Sequence, residues 1–205
     1  MKFLKERSYD IVRLFVNQLG IAIFAMALYC AVAMALPNDF PQAPTIRLVI
    51  SIASTLFYFY LIYMSVWELG SKDRIRIDGG KMERKPLTGF LLALFANIPN
   101  FLLIGISLIF WGAYSASGDE YLWLVFGTVH SITVFIESMY TGIVTAIIPI
   151  AGENTVVADI ALPFLLRSLL YIAMPLVTSA VSHLAYTLGE RNFKLRSVFT
   201  ANNRK

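Results

Sequence analysis

The chain has 205 residues, of which 58% are apolar and 15% charged, against about 25% charged in an average soluble domain. The formal charge of +4 comes from basic residues that flank apolar blocks, so it points to membrane orientation and not to nucleic acid. With one cysteine, Cys30, and two histidines, neither an intrachain disulfide framework nor a conventional tetrahedral metal site is encoded, and no metal or cofactor is expected.

Five apolar segments follow one another: Leu14–Leu36, Ile46–Leu69, Leu87–Trp111, Tyr121–Ile150 and Ile160–Leu188. Three charge-free runs, Leu19–Leu36, Leu48–Trp67 and Leu87–Ser117, reach about 18 residues or more, the length that matches the hydrocarbon thickness when wound as a helix. A soluble core helix would carry a polar face, and these runs carry none. The predicted fold is therefore all-α, a polytopic integral membrane helical bundle with about five transmembrane segments, forming one membrane domain over 1–205. The longest polar stretch, Gly70 to Pro86, has 17 residues, too few for a soluble domain.

The first segment follows a basic start, Lys2, Lys5, Arg7 and Arg13, and ends in Ala33-Met34-Ala35, which resembles a small-residue cleavage site. Because the charged start is long and four more apolar segments follow, it is read as a retained span. Residues Met1 to Arg13 read as an amphipathic lead-in whose basic side chains face anionic headgroups. Ala27, Ala31 and Ala35 recur every four residues, a spacing that allows close helix approach within the chain or between chains.

Orientation follows the Lys and Arg bias of short loops. The arm before Leu14 carries four such residues and the loop Pro37 to Thr45 none. The loop 70–86 carries Lys72, Arg74, Arg76, Lys81, Arg84 and Lys85, and Gly112 to Glu120 carries none. This alternation predicts a plasma (cytoplasmic) membrane protein with its N-terminus and loop 70–86 in the cytoplasm. Within that loop, Arg74-Ile75-Arg76-Ile77 alternates with period two and Asp78-Gly79-Gly80 is turn chemistry, so a small surface hairpin is expected. Its two readings are a solvated basic loop that fixes topology and a docking site for a partner or anionic lipid.

The third segment is interrupted by Asn97-Ile98-Pro99-Asn100. Pro99 has no N–H and clashes with the carbonyl of Phe95, so a helix break is expected at Asn97 and Pro99. Pro149, Pro163 and Pro175 are expected to add further breaks. The fourth segment is about 45 Å long as a single helix, too long for one upright span and too short for two. The basic tail 189–205, with Arg191, Lys194, Arg196, Arg204 and Lys205, favours an even number of crossings. A break near Glu137–Gly142, giving a re-entrant or broken helix in 121–152, reconciles length with charge. One long tilted helix with an outside tail is the alternative.

Trp67, Trp111, Trp123, Tyr63, Tyr114 and Tyr121 fall near predicted span ends and read as interfacial anchors. Polar groups inside spans are costly in lipid and mark helix contacts or function. His130 and Glu137, seven residues apart, lie on one helix face, and Arg167 and Tyr171 share a face of the fifth segment. Glu137 and Arg167 are the natural ion pair. The cluster His130, Glu137, Arg167 and Tyr171 reads either as structural glue or as a path for protons or a cationic ligand, and Arg167 has the further option of snorkelling. His183 reads as an interfacial histidine.

No zinc-protease helix, nucleophile elbow or phosphate loop is present, so no catalytic residues are assigned and enzymatic activity is not expected. The first reading of function is a non-enzymatic subunit or accessory partner of a larger transport-type membrane complex. The second is a small transporter or channel using the intramembrane cluster, and the third an enzyme on a lipid-like substrate. The partners implied are the bilayer and either another membrane protein or a second copy of the chain, with no nucleic acid.

Overall fold

A computed structural model describes residues 2–35, 42–149 and 157–191. These form seven helices: α1 (Lys2–Ala35), α2 (Ala43–Asp78), α3 (Thr88–Ala96), α4 (Ile98–Ser117), α5 (Glu120–Ile136), α6 (Ser138–Ile147) and α7 (Val157–Glu190). No strand occurs among the described residues. Four helices, α1, α2, α4 and α7, are each long and apolar enough to cross a membrane, and counting the bent pair α5 and α6 as one span gives five. The protein is a helical membrane bundle, as the segment lengths predict.

The polarity of its surface is that of a membrane protein. Ile109, Leu124, Leu162 and Leu169 point outward, whereas Asp73, Asn97, Asn100, Gln18 and Glu137 are buried. A bundle immersed in hydrocarbon keeps its polar side chains against one another and shows its apolar ones to lipid.

The helix ends explain where the sequence reading needs correction. The expected hairpin over 72–85 does not form, because α2 runs on to Asp78. Ion pairs one turn apart hold this stretch, Lys72 Nζ to Glu68 at 2.7 Å and Arg74 Nε to Asp78 at 3.4 Å. The glycines then stop the helix. Gly80 takes φ 68°, its N–H donates to the Ile77 carbonyl, and the Lys81 N–H reaches back to Arg76 at 2.9 Å. That pair of bonds is a Schellman stop, a different use of the same turn residues. Gly118 ends α4 in the same left-handed region, and the Asp119 carboxylate caps α5 by accepting from the Tyr121 N–H at 2.8 Å.

At the third segment, Asn97 separates α3 from α4 and Pro99 sits in the first turn of α4, where its missing N–H has no partner to lose. Pro163 and Pro175 do not break α7, which is continuous through both. The fourth segment is broken at Glu137, with α5 and α6 meeting at 104°. Most of the basic tail 189–205 lies outside the described residues, as does the stretch 150–156.

The helices group into two compact units, one formed by the described residues of 1–14, 59–96 and 176–205, the other by those of 15–58 and 97–175. In the first unit, close packing rests on glycine. A β-carbon at Gly70 would overlap the Tyr186 carbonyl, and one at Gly189 would overlap the Trp67 carbonyl. In the second unit, Ala22 and Ala25 are the fully buried alanines of α1. Ala27, Ala31 and Ala35 are exposed, so the predicted small-residue stripe is not a packing face among the described residues.

The predicted anchors Trp111 and Trp123 also have a different role. Trp111 is buried among Phe126 and Phe164, with ring centroids at 5.3 and 4.8 Å, and Tyr114 and Trp123 lie against it. These rings tie α4, α5 and α7 together in the second unit.

Candidate intramembrane polar site

The site forms in the second unit where α5 turns into α6. Glu137 has φ −102° and ψ 19°, outside the helical basin. Its N–H still bonds the Thr133 carbonyl, closing α5, and its own carbonyl accepts from the Tyr140 N–H at 2.9 Å, opening α6. One residue therefore serves as the end of one helix and the start of the next. A turn of this kind at membrane depth needs polar partners from neighbouring helices.

Helix α2 supplies them. The Ser51 hydroxyl donates to the Met139 carbonyl and accepts from the Ile143 N–H at 3.2 Å. Thr55 donates to the same Met139 carbonyl at 3.2 Å. From α6, the Ser138 hydroxyl donates to the Ala22 carbonyl of α1 at 2.7 Å. Gly142 lets α2 come this close, since a β-carbon there would overlap the Arg47 carbonyl. Gly142→Val is expected to lower stability by about 1–3 kcal/mol through overpacking. Its thermal midpoint in detergent should fall clearly, and an unchanged midpoint would show that α2 does not seat on α6.

The Glu137 side chain is fully buried and forms no ion pair among the described residues. Asn100 is the polar side chain beside it, with Tyr58 and Tyr171 in electrostatic reach. Asn100 in turn donates to Asn97 Oδ1 at 3.0 Å, while its own Oδ1 stays without a hydrogen bond. The two helix breaks read from the sequence, at Asn97 and at Glu137, thus supply adjoining polar groups. Gln18 and Ser54 add further buried polar atoms without partners. Gln18 lies one turn before Ala22 on α1, and Ser54 one turn before Tyr58 on α2.

The other predicted site residues are distributed around this centre. The expected ion pair of Glu137 with Arg167 does not form, and Arg167 donates to the Pro149 carbonyl at 3.1 Å. Tyr171 donates to the Thr141 hydroxyl at 3.4 Å. His130 is stacked on Phe126, with centroids 5.5 Å apart, and meets the edge of Phe164 at 5.4 Å. The histidine belongs to the aromatic packing of α5 and α7.

A cavity of about 300 Å³ opens beside α6, lined by Met26, Tyr29, Cys30, Arg47, Ser138 and Thr141 among others. It is largely apolar, and Ser138 places it one residue from Glu137. In the first unit, a second buried polar group was not anticipated from the sequence. Asp73, fully buried, is ion-paired to Arg7, accepts from the Tyr186 hydroxyl at 2.8 Å, and has Arg76 at 3.8 Å. These residues join α1, α2 and α7. Among the described residues, no group of three His, Cys, Asp or Glu side chains is placed to hold a metal ion.

The arrangement offers a buried carboxyl with no ion pair among the described residues, neutral amide and hydroxyl neighbours, and two broken helices. Comparison of the chain with protein families, with curated proteins and with solved structures finds no match to any of them.

Proposed function

We propose that this protein is a small membrane transporter or channel in which Glu137 takes up and releases a proton or a small cation. The observation that carries the reading is the fully buried Glu137 carboxyl at the 104° elbow, with the neutral Asn100 amide beside it and no ion pair among the described residues. An isolated carboxylate in an apolar interior is costly by several kcal/mol at least (~2.5 or more at the centre of a membrane helix), so the group needs a bound proton or cation. Broken helices with freed polar groups at mid-membrane are the sites that transporters use for ions and substrates. The basic arm and the basic loop 70–86 support an orientation with both in the cytoplasm, across a plasma membrane.

A second reading, a non-enzymatic subunit or accessory partner of a larger transport-type complex, is favoured by one observation. The alanine face Ala27, Ala31 and Ala35 is exposed and has the spacing that admits a helix of another protein or another copy. The two readings are compatible, since a subunit can contribute a proton-binding carboxyl.

The test uses dicyclohexylcarbodiimide, an apolar reagent that modifies protonated carboxyls, on the protein reconstituted in lipid. Peptide mass spectrometry should find the adduct on Glu137, slower at alkaline pH or with added sodium ion, and absent in Glu137→Gln. Absence of the adduct on Glu137 at every pH, or labelling indifferent to both pH and cations, would overturn the reading.

A further inference from the structure

The first unit contains a cavity whose lining is mostly charged. It has a volume of about 690 Å³ and is lined by Arg7, Arg76, Lys81 and Lys85 together with Glu6, Met82 and Glu83. Four cations thus face two carboxylates. Their availability differs. Arg7 is committed to the buried Asp73 beneath the cavity. Arg76 reaches Asp73 only at 3.8 Å, and Lys85 reaches Glu6 only at 3.7 Å, both longer than a hydrogen bond. Lys81 forms no ion pair among the described residues and is exposed. Three cationic heads therefore retain donors directed at one space.

The fold makes this convergence. Helix α2 brings Arg76 to its last turn, the Gly80 stop reverses the chain, and Lys81 and Lys85 return across the same cavity before α3 begins at Thr88. Helix α1 supplies Arg7 and Glu6. Glu6, Arg7 and Arg76 stand near the charged ends of α1 and α2, and Lys81 to Lys85 lie in the linker before α3, outside the apolar stretches, the position in which Lys and Arg meet lipid headgroups. Clusters of Lys and Arg in this position attract anionic phosphates. Lysine and arginine donors suit a phosphate oxygen set better than a carboxylate, because several donors from different directions can be satisfied at once.

We propose that this cavity is a binding site for a phosphate group, carried by an anionic lipid headgroup or by a phosphorylated solute. The acidic residues Glu6 and Glu83 limit its excess charge, which suits a singly charged phosphodiester.

The experiment measures retained ligand by native mass spectrometry of the intact, detergent-purified protein. Phosphatidylglycerol, phosphatidylcholine and inorganic phosphate are added separately and in competition. The wild type should retain phosphatidylglycerol over phosphatidylcholine, whose choline cation the site opposes. Each cation removed by Arg76→Gln, Lys81→Gln or Lys85→Gln should weaken retention roughly fivefold, and Lys81→Arg should preserve it. Displacement by inorganic phosphate, with no preference between the two lipids, would identify a soluble phosphate ligand at the same site. Equal retention of both lipids with no response to phosphate, or retention unchanged in all three glutamine variants, would overturn the proposal. Thermal melts of the variants separate loss of binding from loss of fold, and the Glu137→Gln protein should bind as the wild type does.

Discussion

Asp73→Ala is expected to destabilise the protein by about 3 kcal/mol or more, toward the loss seen when one partner of a buried ion pair is removed. Asp73 has no exposed surface, and Arg7 keeps only 7% of its own. Removing the carboxylate leaves the guanidinium buried and takes the acceptor from the Tyr186 hydroxyl. Asp10, 3.6 Å from Arg7 and partly exposed, offers limited compensation. Asp73→Asn should fall between, because the amide oxygen still accepts from Tyr186. Replacing both partners, Arg7→Met with Asp73→Leu, should recover most of the loss, since no charge is then stranded. Unfolding in detergent by increasing SDS, followed by circular dichroism, reads all of these. A double variant less stable than Asp73→Ala would contradict a clasp that acts as a pair.

The second large effect is expected at Trp111. Its ring is 6% exposed and touches Phe126, Phe164, Tyr114 and Trp123. Trp111→Ala opens a cavity where three helices meet, and large-to-small changes at such sites cost about 3–5 kcal/mol. The lower end applies here. Lipid is as apolar as the interior, so the loss is in packing contacts and not in hydrophobic transfer. Trp123→Ala, at a half-exposed ring, should cost far less. Equal losses for the two would place the aromatic contacts at the surface, as interfacial anchors would be.

The elements themselves were legible because membrane thickness sets a length. Segment length placed the spans, and the misfit of the 30-residue fourth segment pointed to a break near Glu137, where the chain does turn. Pro99 marked the second break for a different reason, the local steric clash of its ring with the preceding turn. Partner choice was not legible. Glu137 and Arg167 look like a pair on charge alone, yet Arg167 ends on a backbone carbonyl and Glu137 beside Asn100. Nothing in the spacing says which face of a span meets protein and which meets lipid, because both surroundings are apolar. The alanine stripe at 27, 31 and 35 illustrates this, since it is exposed while Gly70, Gly142 and Gly189 carry the close contacts. Asp73 was hidden among loop charges because the Asp78-Gly79-Gly80 sequence fits a hairpin turn as well as a helix stop. Only the latter extends α2 far enough for Asp73 to meet Arg7 and Tyr186.

The proposed function requires that Glu137, although buried in the bundle, exchange a proton or cation with water. Infrared difference spectra of the reconstituted protein between acidic and alkaline pH, with the Glu137→Gln spectrum subtracted, measure this exchange. The expected result is a carboxylic-acid carbonyl band that belongs to Glu137 and diminishes as pH rises or as a bound cation replaces the proton. A Glu137 band unchanged across pH and across added cations would mean a sealed structural carboxyl, and would rule out its part in transport.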